Sequence, residues 1–334
     1  MKPKNIVVLM GGISSEREIS LRSGSAVAKA LEEVGFNVTC VDVKDEKIED
    51  LNYLETDVAF IALHGYFGED GGVQQLLESK GITYTGSEVN ASKLAMDKLA
   101  TKRCFVKSGL KTPDYLTITE FQDYDEIRNE VTKFGLPVVL KPTRNGSSIG
   151  ISILKDINNL RICLEKAFEF GYEILVEKYI KGRELTVGIL DETPLPIIEI
   201  KPATEFFNYD AKYKDNKTEY LIVKTSLEEK INTDSNSINF IGFLPPSLYN
   251  NAQEMALKAH KTLGCKGFSR VDMLMDCHGN LYLLEVNTIP GFTEKSLLPK
   301  AAIAAGIQFP ALCKRIVDIA YQNSVINVNV QIQN

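Results

Sequence analysis

From its first residues the chain alternates short apolar runs with segments of helical period. Residues 6–10, Ile-Val-Val-Leu-Met, are wholly apolar and start β-branched, as a strand buried on both faces of a parallel sheet does. Residues 36–43 and 58–63 read as further strands, and 26–34 and 73–79 as helices. Ser15-Glu16-Arg17-Glu18 has the S-x-x-E spacing of a capping box at the first helix. Strand–helix alternation predicts a doubly wound α/β unit ending near Gly86-Ser87.

The middle of the chain predicts one helix over residues 91–108, a Pro-marked turn and a strand over 137–141. A loop over 143–150, a strand over 151–154, a helix near 157–169 and a strand over 174–179 follow. The last part opens with a strand at 185–190. It passes through an irregular aromatic and charged stretch at 203–220 and an Asn/Ser-rich insert at about 226–239. A helix from Asn251 and a hairpin over 270–286 come next. The domains expected are 1–88, 89–183 and 184–334, with no internal repeats.

Composition narrows the class. The 334 residues are 44% hydrophobic and 25% charged, ordinary for a soluble globular enzyme. A net charge of −6 and the absence of a Lys/Arg block argue against nucleic-acid binding. The apolar run after Lys2 and Lys4 stops at Gly11-Gly12, too short for a signal-peptide core, and nothing reaches membrane-spanning length. The six cysteines, at 40, 104, 163, 265, 277 and 313, form no CxxC. With three histidines they make no zinc pattern and fit small hydrophobes in a reducing compartment.

Candidate chemistry concentrates in the hairpin. Folding it between His278 and Gly279 sets Asp272 opposite Glu285 and Arg270 opposite Asn287, all four on one face. Facing carboxylates repel unless a cation separates them. An amide oxygen beside them completes an all-oxygen donor set suited to Mg²⁺ shared with phosphates. A solvated polar face balanced by Arg270 explains the same residues, and a bulge would break the register.

Lys141-Pro-Thr-Arg-Asn-Gly-Ser-Ser-Ile-Gly150 is a second candidate. Its small residues would let backbone N–H groups approach a phosphate, with Lys141 adding charge. It is neither a Walker loop nor a G-x-G-x-x-G fingerprint, and a plain turn accounts for it as well. Gly146-Ser147-Ser148-Ile149-Gly150 also matches the G-x-S-x-G elbow of serine esterases, with His64-Gly65 as an oxyanion loop and His260 or His278 completing a triad. An elbow requires strand–turn–helix, whereas the run that follows here alternates like a strand.

Nine stretches in order resemble the D-alanine–D-alanine ligases of the ATP-grasp superfamily. They are 11–24, His64-Gly-Tyr-Phe-Gly-Glu-Asp-Gly71 with Gln74, Tyr84-Thr-Gly-Ser87, Met96-Asp-Lys98 and 136–150. Glu177-Lys-Tyr-Ile180 with Gly182-Arg-Glu184, Tyr209-Asp-Ala-Lys-Tyr213, 267–272, and Glu285-Val-Asn-Thr-Ile-Pro-Gly-Phe-Thr293 with Ser296 complete the set. The resemblance implies a three-domain ATP-grasp fold behind an N-terminal Rossmann-like domain. It also implies ATP-dependent, ADP-forming joining of two D-alanines in the cytoplasm for peptidoglycan precursors, by a homodimer. ATP-grasp ligases for other acid–amine pairs are the near alternative.

The same resemblance distributes roles. Lys98 and Lys141 match the lysines on the ATP phosphates. Glu177, Lys178, Tyr179 and Ile180 match the adenine connector, and Glu184 the ribose contact. Asp272, Glu285 and Asn287 match ligands of two Mg²⁺ ions, for which Mn²⁺ substitutes. Glu16 matches the receptor of the first D-alanine's ammonium, with His64 close by, and Ser296 and the Leu297 backbone the holders of the second carboxylate. Arg270 and the Gly291 N–H match the oxyanion site. Lys212 and Tyr213 match the loop that closes over ATP, with Tyr213 linked to Ser147 and Glu16, and residues 206–220 read as the lid. Residues 221–248 are longer than the family pattern. The tail 325–334 has no match and reads as disordered or as an added edge strand.

Overall fold

The structure, a computed structural model, describes residues 3–49, 51, 55–146, 150–201, 218–225, 242–293 and 295–332, the stretch 326–332 by its backbone alone. The N-terminal unit contains β1 (Asn5–Gly11), α1 (Arg17–Glu33), β2 (Asn37–Val43), β3 (Val58–Ile61) and α2 (Gly72–Ser79). Its strands are parallel in the order β2-β1-β3, so the wholly apolar run is the central strand, as expected. The capping box does not form. Glu16 is the N-cap residue of α1 and no side chain caps the helix. Ser14 takes up the turn instead: its hydroxyl accepts from the Glu16 N–H at 3.1 Å and donates to His64 O at 2.6 Å.

The single helix expected over 91–108 is two, α3 (Val89–Met96) and α4 (Lys98–Lys107). Asp97 breaks it with an extended backbone, and its carboxylate accepts from the Ala100 N–H at 2.9 Å. Asp is a favoured N-cap, so a local hydrogen bond outweighs helical periodicity here and Lys98 becomes the first residue of a new helix. Ala95, Phe105 and Leu110 pack into the core of the large C-terminal sheet.

The central sheet is antiparallel in the order β4-β7-β5-β6, from β4 (Tyr115–Thr119), β5 (Val138–Pro142), β6 (Ser152–Leu154) and β7 (Glu173–Lys178). Helices α5 (Tyr124–Phe134) and α6 (Leu160–Phe168) share its core through Ile127, Val131 and Leu164. The sequence reading missed β4 and α5. As an edge strand β4 buries only Ile118 fully, so it lacks an apolar run. Because β6 returns antiparallel onto β5, the loop between them lies in a hairpin. That context overturns the esterase elbow.

The large sheet runs β12-β11-β10-β8-β13-β14, with β9 paired to β8. Its strands are β8 (Gly182–Leu190), β9 (Thr193–Pro194), β10 (Ile198–Lys201), β11 (Glu219–Lys224), β12 (Gly242–Phe243), β13 (Phe268–Asp276) and β14 (Leu281–Asn287). Helix α7 (Pro246–Thr262) starts earlier than Asn251 because Pro246 fits the first turn of a helix. Helices α8 (Leu297–Ala304) and α9 (Phe309–Ile332) end the described chain. The tail up to Ile332 therefore continues a helix and is neither disordered nor an edge strand.

The β13–β14 hairpin pairs Asp272 with Glu285 and Arg270 with Asn287, as expected. The midpoint used to derive that register is half a position off, which shifts the pairing near the turn by one residue. Asp276 pairs with Asn280 at the turn, Gly279 takes φ +80°, and a bulge between Asp272 and Met273 restores the register. One core joins the N-terminal unit to the large sheet, with Phe292 edge-on to Phe60 at 5.3 Å and to Phe268 at 5.5 Å between ring centroids.

Candidate active site

Nine of the expected residues line one cavity of ≈ 670 Å³: Glu16, His64, Lys98, Arg270, Glu285, Asn287, Gly291, Ser296 and Leu297. They come from α1, the loop after β3, α4, both strands of the hairpin and the turn into α8, so the fold gathers what the sequence scatters.

Part of the lining is acidic. Glu16 at the start of α1 is joined by Glu69, which the sequence reading did not single out. Both carboxylates border Gly146, where an added Cβ would lie 3.7 Å from Glu16 Oε2 and 3.9 Å from Glu69 Oε2. His64 is buried between Glu69 Oε1, 3.5 Å from Nδ1, and Ser23 Oγ, 3.2 Å from Nε2. A carboxylate can only accept, so a hydrogen between His64 and Glu69 comes from Nδ1, while the Ser23 hydroxyl can either donate to Nε2 or accept from it. Ser23 Oγ also accepts from the Phe292 N–H at 3.3 Å, tying this part to the peptide after Gly291.

Another part of the lining is the N-terminus of α8. Ser296 occupies its N-cap position, yet its hydroxyl caps nothing in the helix. It accepts from the Thr293 N–H at 3.0 Å and sits 2.8 Å from Thr293 Oγ1. The first N–H groups of a helix lack intrahelical partners and attract anions. Close packing holds this part in place. A Cβ on Gly188 of β8 would meet Leu298 Cδ1 at 2.8 Å, and one on Gly291 would meet Ser296 Oγ at 2.7 Å.

The polar face of the hairpin also lines the cavity, through Arg270, Glu285 and Asn287. Arg270 donates to both oxygens of Asp272, at 2.9 and 2.7 Å, and Thr186, opposite Asp272 on β8, adds a hydroxyl at 2.6 Å. Lys98 Nζ is 3.6 Å from Glu285 Oε2 and donates to Asn145 O at 2.5 Å. Each facing carboxylate thus has its own cation, which relieves their repulsion. Among the described residues no three His, Cys, Asp or Glu side chains cluster as a metal cage. Two carboxylates and one amide form an incomplete oxygen set, the kind magnesium takes when phosphates and water supply the rest. A carboxylate also keeps lone pairs beyond those given to Arg270 and Thr186, so the donor set fits that ion.

Lys141 and Glu177 lie beside the cavity. Lys141 Nζ is 2.5 Å from Glu177 Oε2, and Lys102 Nζ is 2.9 Å from Oε1. Burial favours the protonated form of Glu177, but Lys141 and Lys102 overcome it and hold the carboxyl below its ordinary range. Lys178 spends its ammonium on Phe134 O and Gly135 O, the latter at 2.9 Å, and its N–H donates to Asp114 O at 2.9 Å. Tyr179 and Ile180 follow half-buried, and Glu184 pairs within the sheet against Ile200 and Leu274. Ser147, Lys212, Tyr213 and residues 206–217 of the lid expected over 206–220 lie outside the described residues, and its last two residues begin β11.

Residues 104–318 match the family model for the D-ala D-ala ligase C-terminus, and residues 47–87 that for its N-terminus. The chain belongs to the D-alanine–D-alanine ligase family. It is 45% identical to the D-alanine–D-alanine ligase of Trichlorobacter lovleyi over 317 residues, covering 95% of each chain. The crystal structure of the Bacillus anthracis ligase superposes with a TM-score of 0.83 at 36% identity, covering 97% of this chain and 99% of that one. The same enzyme complexed with ATP gives 0.81 at 35% identity, over 98% and 100%. The fold is the ATP-grasp fold expected of a D-alanine–D-alanine ligase. Among the described residues no helix is long and apolar enough to cross a membrane.

Among the polar residues in or beside this cavity that escaped the sequence reading are Glu69, Thr186 and Lys102. Glu69 lies inside a matched stretch and could have been read from it. Thr186 and Lys102 sit among ordinary strand and helix residues. Only the pairing of β8 with β13 and the packing of α4 bring them to carboxylates.

Proposed function

We propose that this cavity joins two D-alanines into D-alanyl-D-alanine for peptidoglycan precursors, using ATP and passing through D-alanyl phosphate. One observation carries the reading. A single cavity is lined by the carboxylates Glu16 and Glu69, by Ser296 and Leu297 at a helix N-terminus, and by Arg270. A dipeptide has an ammonium at one end, a carboxylate at the other and a carbonyl between, and each finds its electrostatic complement here.

A carboxylate resists attack because its charge is delocalised. The first D-alanine, its ammonium on Glu16 with His64 beside it, attacks the γ-phosphorus through a carboxylate oxygen, and ADP leaves. The second D-alanine is held by its carboxylate on Ser296 and the Leu297 N–H. Its amine attacks the acyl carbonyl and loses a proton. Arg270 and the Gly291 N–H stabilise the oxyanion that forms, and inorganic phosphate departs as it collapses. Preorganised donors of this kind are typically worth about 10²–10³ in rate each. Lys98 and Lys141 balance phosphate charge during transfer, and Glu177 through Ile180 and Glu184 take the nucleoside. Asp272, Glu285 and Asn287 would hold the Mg²⁺ ions, which supply charge neutralisation and in-line orientation when bound. Ser147, Lys212 and Tyr213 close the site, shielding the acyl phosphate from water. The enzyme works in the cytoplasm, where ATP is found, as a homodimer.

The test is phosphate release from ATP and Mg²⁺ with D-alanine or L-alanine added, together with chromatography of the product. D-alanine should drive phosphate release with an equal amount of dipeptide, while L-alanine should not. Absence of stimulation by D-alanine in folded, ATP-binding protein would reject the substrate.

A further inference from the structure

Glu177, near the end of β7, is only 2% exposed yet meets two ammonium groups at once, Lys141 on Oε2 at 2.5 Å and Lys102 on Oε1 at 2.9 Å. The two lysines are not equivalent. Lys102, on α4, is 0% exposed, and its ammonium also donates to the Thr112 hydroxyl and to Pro113 O at 3.3 Å. Thr112 in turn donates to Leu283 O of β14 at 2.8 Å. Lys102 is thus pinned between α4, the segment before β4 and the hairpin. Lys141 stands at the end of β5 where the 143–150 loop begins, and Glu177 is its one ion-pair partner among the described residues.

Two cations on one carboxylate leave one positive charge in excess. For Lys141 to turn toward a phosphate it must leave Glu177. A buried carboxylate stripped of its only counter-ion is strongly unfavourable, so the move is feasible only if a second cation remains. We infer that Lys102 is the resident counter-ion of Glu177, a positioning residue that frees Lys141 to engage the nucleotide phosphates. This rests on the ATP role given to Lys141 above. It explains why a fully buried lysine stands beside a cationic site, where charge repulsion alone would exclude it.

The experiment is calorimetric titration of the full chain with ATP and Mg²⁺, which reads binding independently of ligation. Lys141→Met should weaken ATP binding at least about tenfold, the loss of one charged contact. Lys102→Met should weaken it comparably, with kcat at saturating ATP reduced far less. In Lys102→Met/Glu177→Gln the Kd should return to within about threefold of Glu177→Gln alone, because an amide needs no counter-ion. If Lys102→Met cannot be purified folded, Thr112→Val loosens the same ammonium and should raise Kd about threefold. Unchanged ATP binding in Lys141→Met would show that Lys141 does not hold phosphate, and the inference would fall with that assignment. Weakened binding in Lys141→Met beside unchanged binding in the Lys102 or Thr112 variant, or no rescue by Glu177→Gln, would overturn the inference alone.

Discussion

Asp272 on β13 and Glu285 on β14 form the last matched pair before the ladder slips by one residue, so that Met273 faces Leu283 and Leu284 is the extra residue. Without the slip, the turn at Asp276 and Asn280 would set Asp272 against Leu284 and send Glu285 to the other face. The bulge therefore brings both carboxylates and Asn287 onto the cavity side. Glu285→Gln and Asp272→Asn should each lower D-alanine-dependent phosphate release by more than about 100-fold, the upper range for merely disturbing a metal's outer partners. Raising Mg²⁺ should recover part of the Glu285→Gln loss. Turnover near wild type at ordinary Mg²⁺ would remove the hairpin from the phosphate chemistry.

Arg270 has two duties, and a lysine separates them. Its guanidinium grips both oxygens of buried Asp272 while lining the cavity near Gly291. Lysine keeps the charge but not the planar fork. Arg270→Lys should cost about 10²–10³ in kcat, as loss of an oxyanion donor does, while ATP binding changes little. Arg270→Met should in addition destabilise the fold by about 3–5 kcal/mol, since it strands a buried carboxylate. Chemical denaturation of the two variants tests the distinction.

Much of the site is legible in the sequence because strand pairing obeys arithmetic. Alternation along 270–287 by itself places Arg270, Asp272, Glu285 and Asn287 on one face, and the pairing in the folded hairpin agrees. The arithmetic does not reveal that the pairing near the turn is one residue off and that a bulge compensates, since a bulge depends on local backbone geometry. Helical period likewise joins α3 to α4 and overlooks that Asp97 competes as a cap. Elements whose stability comes from neighbours are the least visible: β4 at a sheet edge, and the two-residue strands β9 and β12. Glu16 and Ser296 each carry plausible local roles as helix-terminal residues, and only the cavity shows them facing a common space.

Ser296→Ala should act on substrate and hardly on the fold. Among the described residues its hydroxyl bonds only to Thr293, and it caps no helix N–H. Removing a hydrogen bond to a charged group costs about 1.5 kcal/mol or more, so the KM for the second D-alanine should rise roughly tenfold. The unfolding free energy should change by less than about 1 kcal/mol. Initial rates over a wide D-alanine range separate the two substrate sites. A rise confined to the first would assign Ser296 to the first D-alanine instead.

His260 gives the fold an acid limit unrelated to catalysis. It is buried on α7 with Nδ1 2.7 Å from Ser269 Oγ, and Glu192 and Lys261 are the charged groups near it. Burial pulls its pKa down to about 4, with Glu192 opposing and Lys261 adding. The unfolded chain titrates near the ordinary value of about 6.5, so it binds the proton more readily than the folded one. Stability from this group is complete above about pH 6.5 and drains away as the pH falls toward 4, amounting to about 2 kcal/mol lost by pH 5. Urea denaturation at pH 7.5 and pH 5 should show that loss in the wild type, on top of any carboxylate contribution. His260→Gln, which can still bond Ser269, should be less stable at pH 7.5 but lose about 2 kcal/mol less than the wild type between the two values. Equal losses in both proteins would mean that His260 is charged in the fold or open to water.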